Sequence, residues 1–176
     1  MKTSQQGTVI VYTGEGKGKT TAALGLALRA RGQDFRVCVI QFLKSDRGRW
    51  GEIKTAEQIG IEWHQWGSGF TWQQKDPTAG QEKAVQGWKA ARQKISSGKY
   101  DLIILDEFSY PLQLGWLDPA KVLRWLKEHR PEDLHLVFTG RRMPESVTAY
   151  ADTVTEMKKI KHAFDQGIAG QRGIEF

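Results

Sequence analysis

Short apolar runs alternate along this chain with longer stretches in which apolar residues return every three or four positions, and that alternation sets the fold class. Val9-Ile10-Val11-Tyr12 predicts a first strand near 8–13, and Ala22-Ala23-Leu24-Gly25-Leu26-Ala27-Leu28 predicts a helix near 19–32 that Gly32 terminates. Arg36 to Leu43, rich in Val and Ile, reads as a second strand. A helix near 50–59 and a short strand near 61–65 follow. A long helical pattern runs from about Asp76 to Ser96, with Asp76 as the capping residue and Pro77 suited to the first turn. The unbroken apolar run Leu102-Ile103-Ile104-Leu105 before Asp106-Glu107 predicts a central strand buried on both faces. Asp118-Pro119 opens another helix, which Arg130-Pro131 ends. Leu134 to Phe138 reads as a strand, Pro144 starts a short helix near 144–151, and Asp152 to Met157 reads as the last strand. This order predicts an α/β fold with a mostly parallel central sheet flanked by helices. In such sheets ligands sit at the carboxyl ends of the strands, so Thr13, Asp106 and Thr139 should converge on one crevice.

The turn between the first strand and helix carries the chemistry. It reads Thr13-Gly14-Glu15-Gly16-Lys17-Gly18-Lys19-Thr20-Thr21, and a strand, a glycine-rich turn ending in Gly-Lys-Thr and a helix together form the context of a phosphate-binding loop. The glycines let the backbone curl around an anion, and the helix N-terminus adds about half a positive charge. Lys19 reaches the outer phosphates and the Thr20 hydroxyl ligates Mg²⁺ in this reading. Thr13 stands where the general pattern has its first glycine, while Gly14 and Gly16 still supply permissive backbone.

Four apolar residues followed by Asp106-Glu107 match the second half of such a site, in which a buried strand delivers a carboxylate beside the magnesium ion. Either Asp106 or Glu107 faces the metal on this reading. In many ATPases an acid after such a strand activates water against the terminal phosphate. The two motifs alone therefore say ATP hydrolase or ATP-using transferase.

Composition narrows the classes further. A chain of 176 residues with 39% apolar content suits one domain with one core, and no internal repeat or low-complexity linker divides it. The expected organisation is a single nucleotide-binding domain over 1–176, with a wrapping tail from about 161 to 176. The longest aliphatic run, Leu102 to Leu105, is far too short to span a bilayer, and the N-terminus carries no apolar leader. The single cysteine, Cys38, allows no intramolecular disulfide, which suits a reducing cytoplasm. The net charge of +6 suits a polyanionic ligand such as a nucleotide. It also keeps open a P-loop ATPase acting on nucleic acid, although the positive charge forms no long stripe and nucleic acid is not the expected partner.

The remaining motifs resemble the ATP:corrinoid adenosyltransferases of the CobA/CobO/BtuR type, over nearly the whole chain from about Gly7 to Phe176. The resemblance rests on blocks in order: the glycine loop with Ala22-Ala23-Leu24-Gly25; Val39-Ile40-Gln41-Phe42-Leu43-Lys44; Gly69-Phe70-Thr71-Trp72; and Leu105-Asp106-Glu107-Phe108-Ser109-Tyr110. Thr139-Gly140-Arg141 then joins Ala151-Asp152-Thr153-Val154-Thr155-Glu156-Met157 and Lys161-His162-Ala163-Phe164-Asp165-Gln166-Gly167, and the chain closes with Arg172-Gly173-Ile174-Glu175-Phe176. The resemblance implies a P-loop (RecA-like) fold and an enzyme of the cob(I)yrinic acid a,c-diamide adenosyltransferase type, serving adenosylcobalamin synthesis or corrinoid salvage. A Co(I) corrinoid attacks the ribose 5′-carbon of ATP, the adenosyl group moves to cobalt, and intact tripolyphosphate leaves. Lys19, Thr20 and Mg²⁺ then stabilise the departing triphosphate. Glu107 becomes a metal ligand rather than a water activator.

By the same resemblance Phe70 and Trp72 displace the corrinoid's lower axial ligand, which brings reduction to Co(I) within reach of a biological reductant. Their adjoining glycines, Gly67 and Gly69, fit a loop. Arg141 is a triphosphate contact or a surface residue, His162 lies near the corrinoid, and Gln41 and Lys44 either line the site or end their strand in solvent. His64, His129, His135 and the remaining tryptophans read as surface or packing residues, and no His, Cys or carboxylate spacing forms a metal cage. Relatives imply a homodimer and an electron-donor protein such as a flavodoxin. Two features depart from some family members. Glu15 stands where enterobacterial members carry Asn, so its acid must point away from the phosphates. Only a short segment precedes the first block, which implies a shorter cover over the corrinoid.

Overall fold

The computed structural model describes residues 6–43, 50–67 and 77–175. Six strands form one sheet in the order β3-β2-β4-β5-β1-β6, and every pairing in it is parallel. In chain order the elements are β1 (Val9–Thr13), α1 (Lys19–Arg31), β2 (Val37–Gln41), α2 (Gly51–Gln58), β3 (Glu62–Gln65) and α3 (Pro77–Ser96). Then come β4 (Leu102–Asp106), α4 (Ser109–Gln113), α5 (Pro119–His129), β5 (His135–Thr139), α6 (Glu145–Tyr150) and β6 (Thr153–Glu156), with a 3-10 turn at Ala163–Gln166. No helix among the described residues is long and apolar enough to cross a membrane.

The two-residue period of the strands sorts the core into two layers. Val37, Val39, Leu102, Ile104 and Val137 face α1 and α2, where Ala23, Ala27 and Ala56 let the helices lie close on the sheet. Cys38, Ile40, Ile103, Leu105, Leu136 and Phe138 face the other way, against α3 and α5. This second layer is aromatic. Phe108 meets Phe42 at 4.9 Å and both Trp88 and Phe138 at 5.6 Å between ring centroids, and Trp88 meets Trp125 edge-on at 5.5 Å.

Most element positions agree with the sequence pattern to within two residues. Asp118 caps α5 as expected, its side chain accepting from the Ala120 amide at 2.8 Å. Three details differ. Strand β2 stops at Gln41, and the Phe42 amide closes its ladder with β4 by donating to the Asp106 carbonyl. Helix α1 does end at Gly32, but that residue keeps a right-handed φ of −65°, and the left-handed turn falls on Asp34 at φ 60°. Helix α4 has no counterpart in the sequence reading, since one short turn bearing Pro111 gives no helical period.

Two helix glycines have opposite roles. Gly25 sits on the exposed side of α1 with nothing within 4 Å of a would-be Cβ, so Gly25→Ala should stabilise the fold by about 0.5–1 kcal/mol. Gly87 in α3 lets Trp66 and Phe42 approach, and a Cβ there would lie 2.8 Å from Trp66 Cβ and 3.1 Å from Phe42 Cε1. Gly87→Ala should destabilise by about 1–3 kcal/mol despite its gain in helix propensity. Paired urea denaturation curves measure both; equal shifts of the same sign would contradict this packing.

At the outer edge of the sheet, β3 presents Glu62 and His64 beside Cys38, and the ligating atoms of the three lie within 4.8 Å of one another. Sequence spacing alone does not foresee this grouping. Its centre is an ion pair rather than a metal cage, because Glu62 bonds the Lys94 ammonium, the Tyr100 hydroxyl and His64 Nε2. Burial pushes the Glu62 acid up, but those hydrogen bonds outweigh it and bring the group down to about 2. Burial raises the Cys38 thiol to about 12, which keeps it inert at neutral pH. A depressed carboxylate contributes stability above its unfolded value of 4.5, and that contribution is lost as pH falls toward about 2. Glu62→Gln should therefore flatten the acid limb of the stability profile between those values. An unchanged limb in pH-dependent denaturation would contradict the assignment.

Candidate active site

The carboxyl ends of β1, β4 and β5 meet the N-terminus of α1, as parallel topology requires. Gly14 and Gly18 adopt left-handed φ values of 96° and 113°, and Gly18 immediately precedes α1 with no side-chain cap. The first amides of α1 therefore have no partner from a capping side chain and open toward a cavity of about 690 Å³. Gly16, Lys17, Gly18, Lys19, Thr20 and Thr21 all line it.

The loop glycines also serve a second purpose. The Gly16 amide donates to Met157 O at 2.6 Å, and Met157 N donates back to Thr13 O at 2.8 Å. A Cβ at Gly14 or Gly16 would sit within 2.6 Å of Met157 O. The chain leaving β6 thus lies against the phosphate loop, and it can do so only where side chains are missing. Farther along, Lys17 pairs with Glu175 at 2.5 Å, and Gly173, Ile174 and Glu175 join the cavity wall.

Lys19 Nζ donates to Gly14 O at 2.8 Å and Gly16 O at 2.6 Å, so its ammonium is held over the loop by neutral acceptors. Burial, and then the nearby Arg141 guanidinium, pull its pKa below the usual lysine value. Asp106 is wholly buried at the end of β4 and accepts from Thr20 Oγ1 at 2.9 Å, Thr139 Oγ1 at 2.6 Å and Gln41 Nε2 at 2.7 Å. Glu107, by contrast, lines the cavity. Its backbone is forced to φ 61°, and its amide is held by Thr139 Oγ1 at 2.9 Å. A non-glycine residue in that region costs of order 1–3 kcal/mol and persists only where its surroundings hold it.

Several sequence-derived candidates are brought together here and others are not. Arg141 and His162 both line the cavity. Glu15 is exposed and faces outward as expected, bonded to Arg142 at 2.8 Å and within 3.8 Å of Arg141. Gly14 contributes its carbonyl to Lys19 rather than a surface to the cavity. Gln41 is not a solvated strand end but a fully buried one. Phe70, Trp72 and Lys44 lie outside the described residues. Residues the sequence did not single out also line the cavity: Leu24, Glu52, Thr55, Tyr110 and the Gly173-Ile174-Glu175 tail. Leu24, Tyr110 and the tail stand within the blocks that carry the family resemblance, which is a weak signal for a site role, and Glu52 and Thr55 carry none.

The donor set facing the cavity is hard. A threonine hydroxyl and a glutamate carboxylate, backed by a second carboxylate, suit Mg²⁺ bound with phosphate oxygens, and no thiolate lines the wall.

Residues 5–176 match the family described as ATP:corrinoid adenosyltransferase BtuR/CobO/CobP. The chain belongs to this family. A corrinoid adenosyltransferase of a Sinorhizobium species is 38% identical over 183 residues, covering 99% of this chain and 83% of that protein. The corrinoid adenosyltransferase of Escherichia coli K12 is 37% identical over 174 residues, covering 98% and 87% respectively. Corrinoid adenosyltransferase CobA of Salmonella typhimurium is 36% identical over the same length and coverage. Family membership settles the choice left open by the two phosphate-site motifs: the chain is an enzyme that uses ATP for adenosyl transfer to a corrinoid, and a nucleic-acid ATPase is not favoured. The all-parallel sheet with its glycine loop is the P-loop arrangement expected for it.

Proposed function

We propose that the cavity grips ATP by its triphosphate with Mg²⁺ and presents the ribose 5′-carbon to a Co(I) corrinoid. The observation that carries this reading is the convergence of Lys19, Thr20, Glu107 and Arg141 on one cavity at the end of the sheet. In the reaction the cobalt electron pair forms the cobalt–carbon bond. The bond from C5′ to its oxygen breaks, and its electrons leave on tripolyphosphate. No proton has to move, so the site needs cations and amides rather than a general base.

Lys19 supplies the mobile positive charge, since its bonds to Gly14 O and Gly16 O are to neutral carbonyls and can be exchanged for phosphate oxygens. The amides of residues 17–21 add the positive end of α1. Arg141, just after β5, covers the phosphates, and Tyr110 and Glu107 line the same cavity. Thr20 and Glu107 would hold Mg²⁺, with Asp106 supporting Thr20 from behind, and the ion would neutralise charge on the leaving group. Phe70 and Trp72 are proposed, from family resemblance, to take the corrinoid's lower face, with His162 at the rim. The unit is proposed to be one nucleotide-binding domain with a wrapping tail from about residue 161, of which His162 and residues 173–175 line the cavity.

Two partners complete the proposal. A second copy of the chain is favoured by β6, an edge strand with every residue exposed, and by Ile160 just beyond it in the chain, 84% exposed. A flavodoxin-like electron donor and a cytoplasmic setting rest on family resemblance. Incubation with ATP, Mg²⁺ and chemically reduced corrinoid should give a light-sensitive adenosylated corrinoid. Failure to form it from pre-reduced substrate would overturn the proposal.

A further inference from the structure

Four neighbouring strands end in polar residues that bond to one another in sheet order. Gln65 closes β3, Gln41 closes β2, Asp106 closes β4 and Thr139 closes β5. Gln65 Nε2 donates to Gln41 Oε1 at 3.2 Å, and Gln41 Nε2 donates to Asp106 Oδ2 at 2.7 Å. Thr139 Oγ1 donates to Asp106 Oδ1 at 2.6 Å, where Thr20 Oγ1 also donates at 2.9 Å. The Glu107 amide then donates to Thr139 Oγ1 at 2.9 Å. Gln41, Asp106 and Thr139 are 0%, 0% and 1% exposed, so the central bonds from Gln41 and Thr139 to Asp106 are sealed from water, while the outer ones are half-buried.

A buried amide at the end of β2 needs a reason. The rest of that strand, Val37 to Ile40, is buried and apolar, and an apolar fifth residue would avoid the desolvation cost of a primary amide. What the amide supplies is direction. Because Gln41 Oε1 accepts from Gln65, its nitrogen faces Asp106 and fixes Oδ2, which leaves Oδ1 for the two hydroxyls. The Thr20 hydrogen is thereby aimed at Asp106 and its lone pairs at the cavity. Thr139, giving its hydrogen to the same oxygen, turns its lone pairs to the Glu107 amide and holds that residue at φ 61°.

We infer that Gln41 and Thr139 are positioning residues, which act through Asp106 to pre-orient the Thr20 hydroxyl and the Glu107 carboxylate as a cation seat. This rests on the reading above that magnesium–ATP occupies the cavity, and deepens it. Partners one shell behind a metal typically change its affinity by about 10–100-fold when removed. Neither residue touches nucleotide in this account, so ATP affinity without metal stays nearly constant.

The test is calorimetric titration of ATP into the full chain at a series of Mg²⁺ concentrations, with no corrinoid present. Gln41→Met, of equal length and unable to donate, should raise the half-saturating Mg²⁺ concentration about tenfold, and Thr139→Val similarly. The double variant should show clearly less than the product of the two effects, because both act on one carboxylate. Ile40→Val, a core neighbour outside the relay, should leave the Mg²⁺ dependence unchanged while lowering the unfolding midpoint. Should Gln41→Met not fold, Gln65→Met breaks the same relay at its outer, half-buried end and should shift the Mg²⁺ requirement in the same direction. A folded Gln41→Met or Gln65→Met with wild-type Mg²⁺ dependence, or fully multiplicative single effects, would overturn this inference alone. Wild-type ATP binding indifferent to Mg²⁺ would overturn the metal reading along with it.

Discussion

Lys19→Ala lowers tripolyphosphate release by about 10²–10³-fold, the scale found when one preorganised group stabilising developing charge is removed. The charge in question is on the leaving group. Lys19 stands over the loop on the carbonyls of Gly14 and Gly16, with burial and Arg141 both weakening its hold on a proton. An arriving triphosphate reverses that balance, since anionic oxygens replace neutral ones and screen Arg141. The ammonium is therefore worth most where negative charge is greatest, at the departing oxygen. Lys19→Arg should not restore activity, because a planar fork cannot sit between two carbonyls that a single ammonium nitrogen reaches at 2.8 and 2.6 Å. Steady-state release measured over a range of ATP concentrations checks both variants. A Lys19→Ala enzyme within threefold of wild type, a margin of about 0.7 kcal/mol, would remove Lys19 from the mechanism.

Phe108→Ala costs about 3–5 kcal/mol of stability, and the melting temperature falls by about 6–20 °C for a chain of this size. Phe108 is fully buried and touches rings from three different places in the fold: Phe42 after β2, Trp88 on α3 and Phe138 on β5. No single neighbour can relax into the space without moving an element, which keeps the cavity open and the penalty high. The residue directly follows Glu107, so the same ring anchors the backbone that holds the carboxylate at the cavity wall. Denaturant unfolding followed by tryptophan emission reports the loss through Trp88. A change below about 1.5 kcal/mol would mean that this layer repacks freely.

The fold was legible because strand and helix periods are unmistakable when strands are buried on both faces. Leu102 to Leu105 could be placed centrally from its unbroken apolar run, and it lies between β2 and β5. The phosphate loop was legible because glycine, lysine and threonine at fixed spacing have one common physical use. What escaped the sequence reading is long-range. Gln41 looked like a possible solvent-facing strand end because nothing local says that Gln65 and Asp106 flank it on adjacent strands. The choice between Asp106 and Glu107 was open for the same reason. It depends on the left-handed backbone at Glu107, imposed by Thr139 from β5 more than thirty residues later in the chain. The second use of Gly14 and Gly16, making room for Met157, is equally invisible until β6 is placed beside β1.

The most direct measurement is the phosphorus spectrum of the reaction products, taken with ATP, Mg²⁺ and pre-reduced corrinoid. The account predicts one linked tripolyphosphate for each corrinoid alkylated, because the bond cleaved is at the sugar carbon. ADP with orthophosphate, appearing in step with corrinoid consumption, would show that the cavity activates the terminal phosphate instead and would contradict the account.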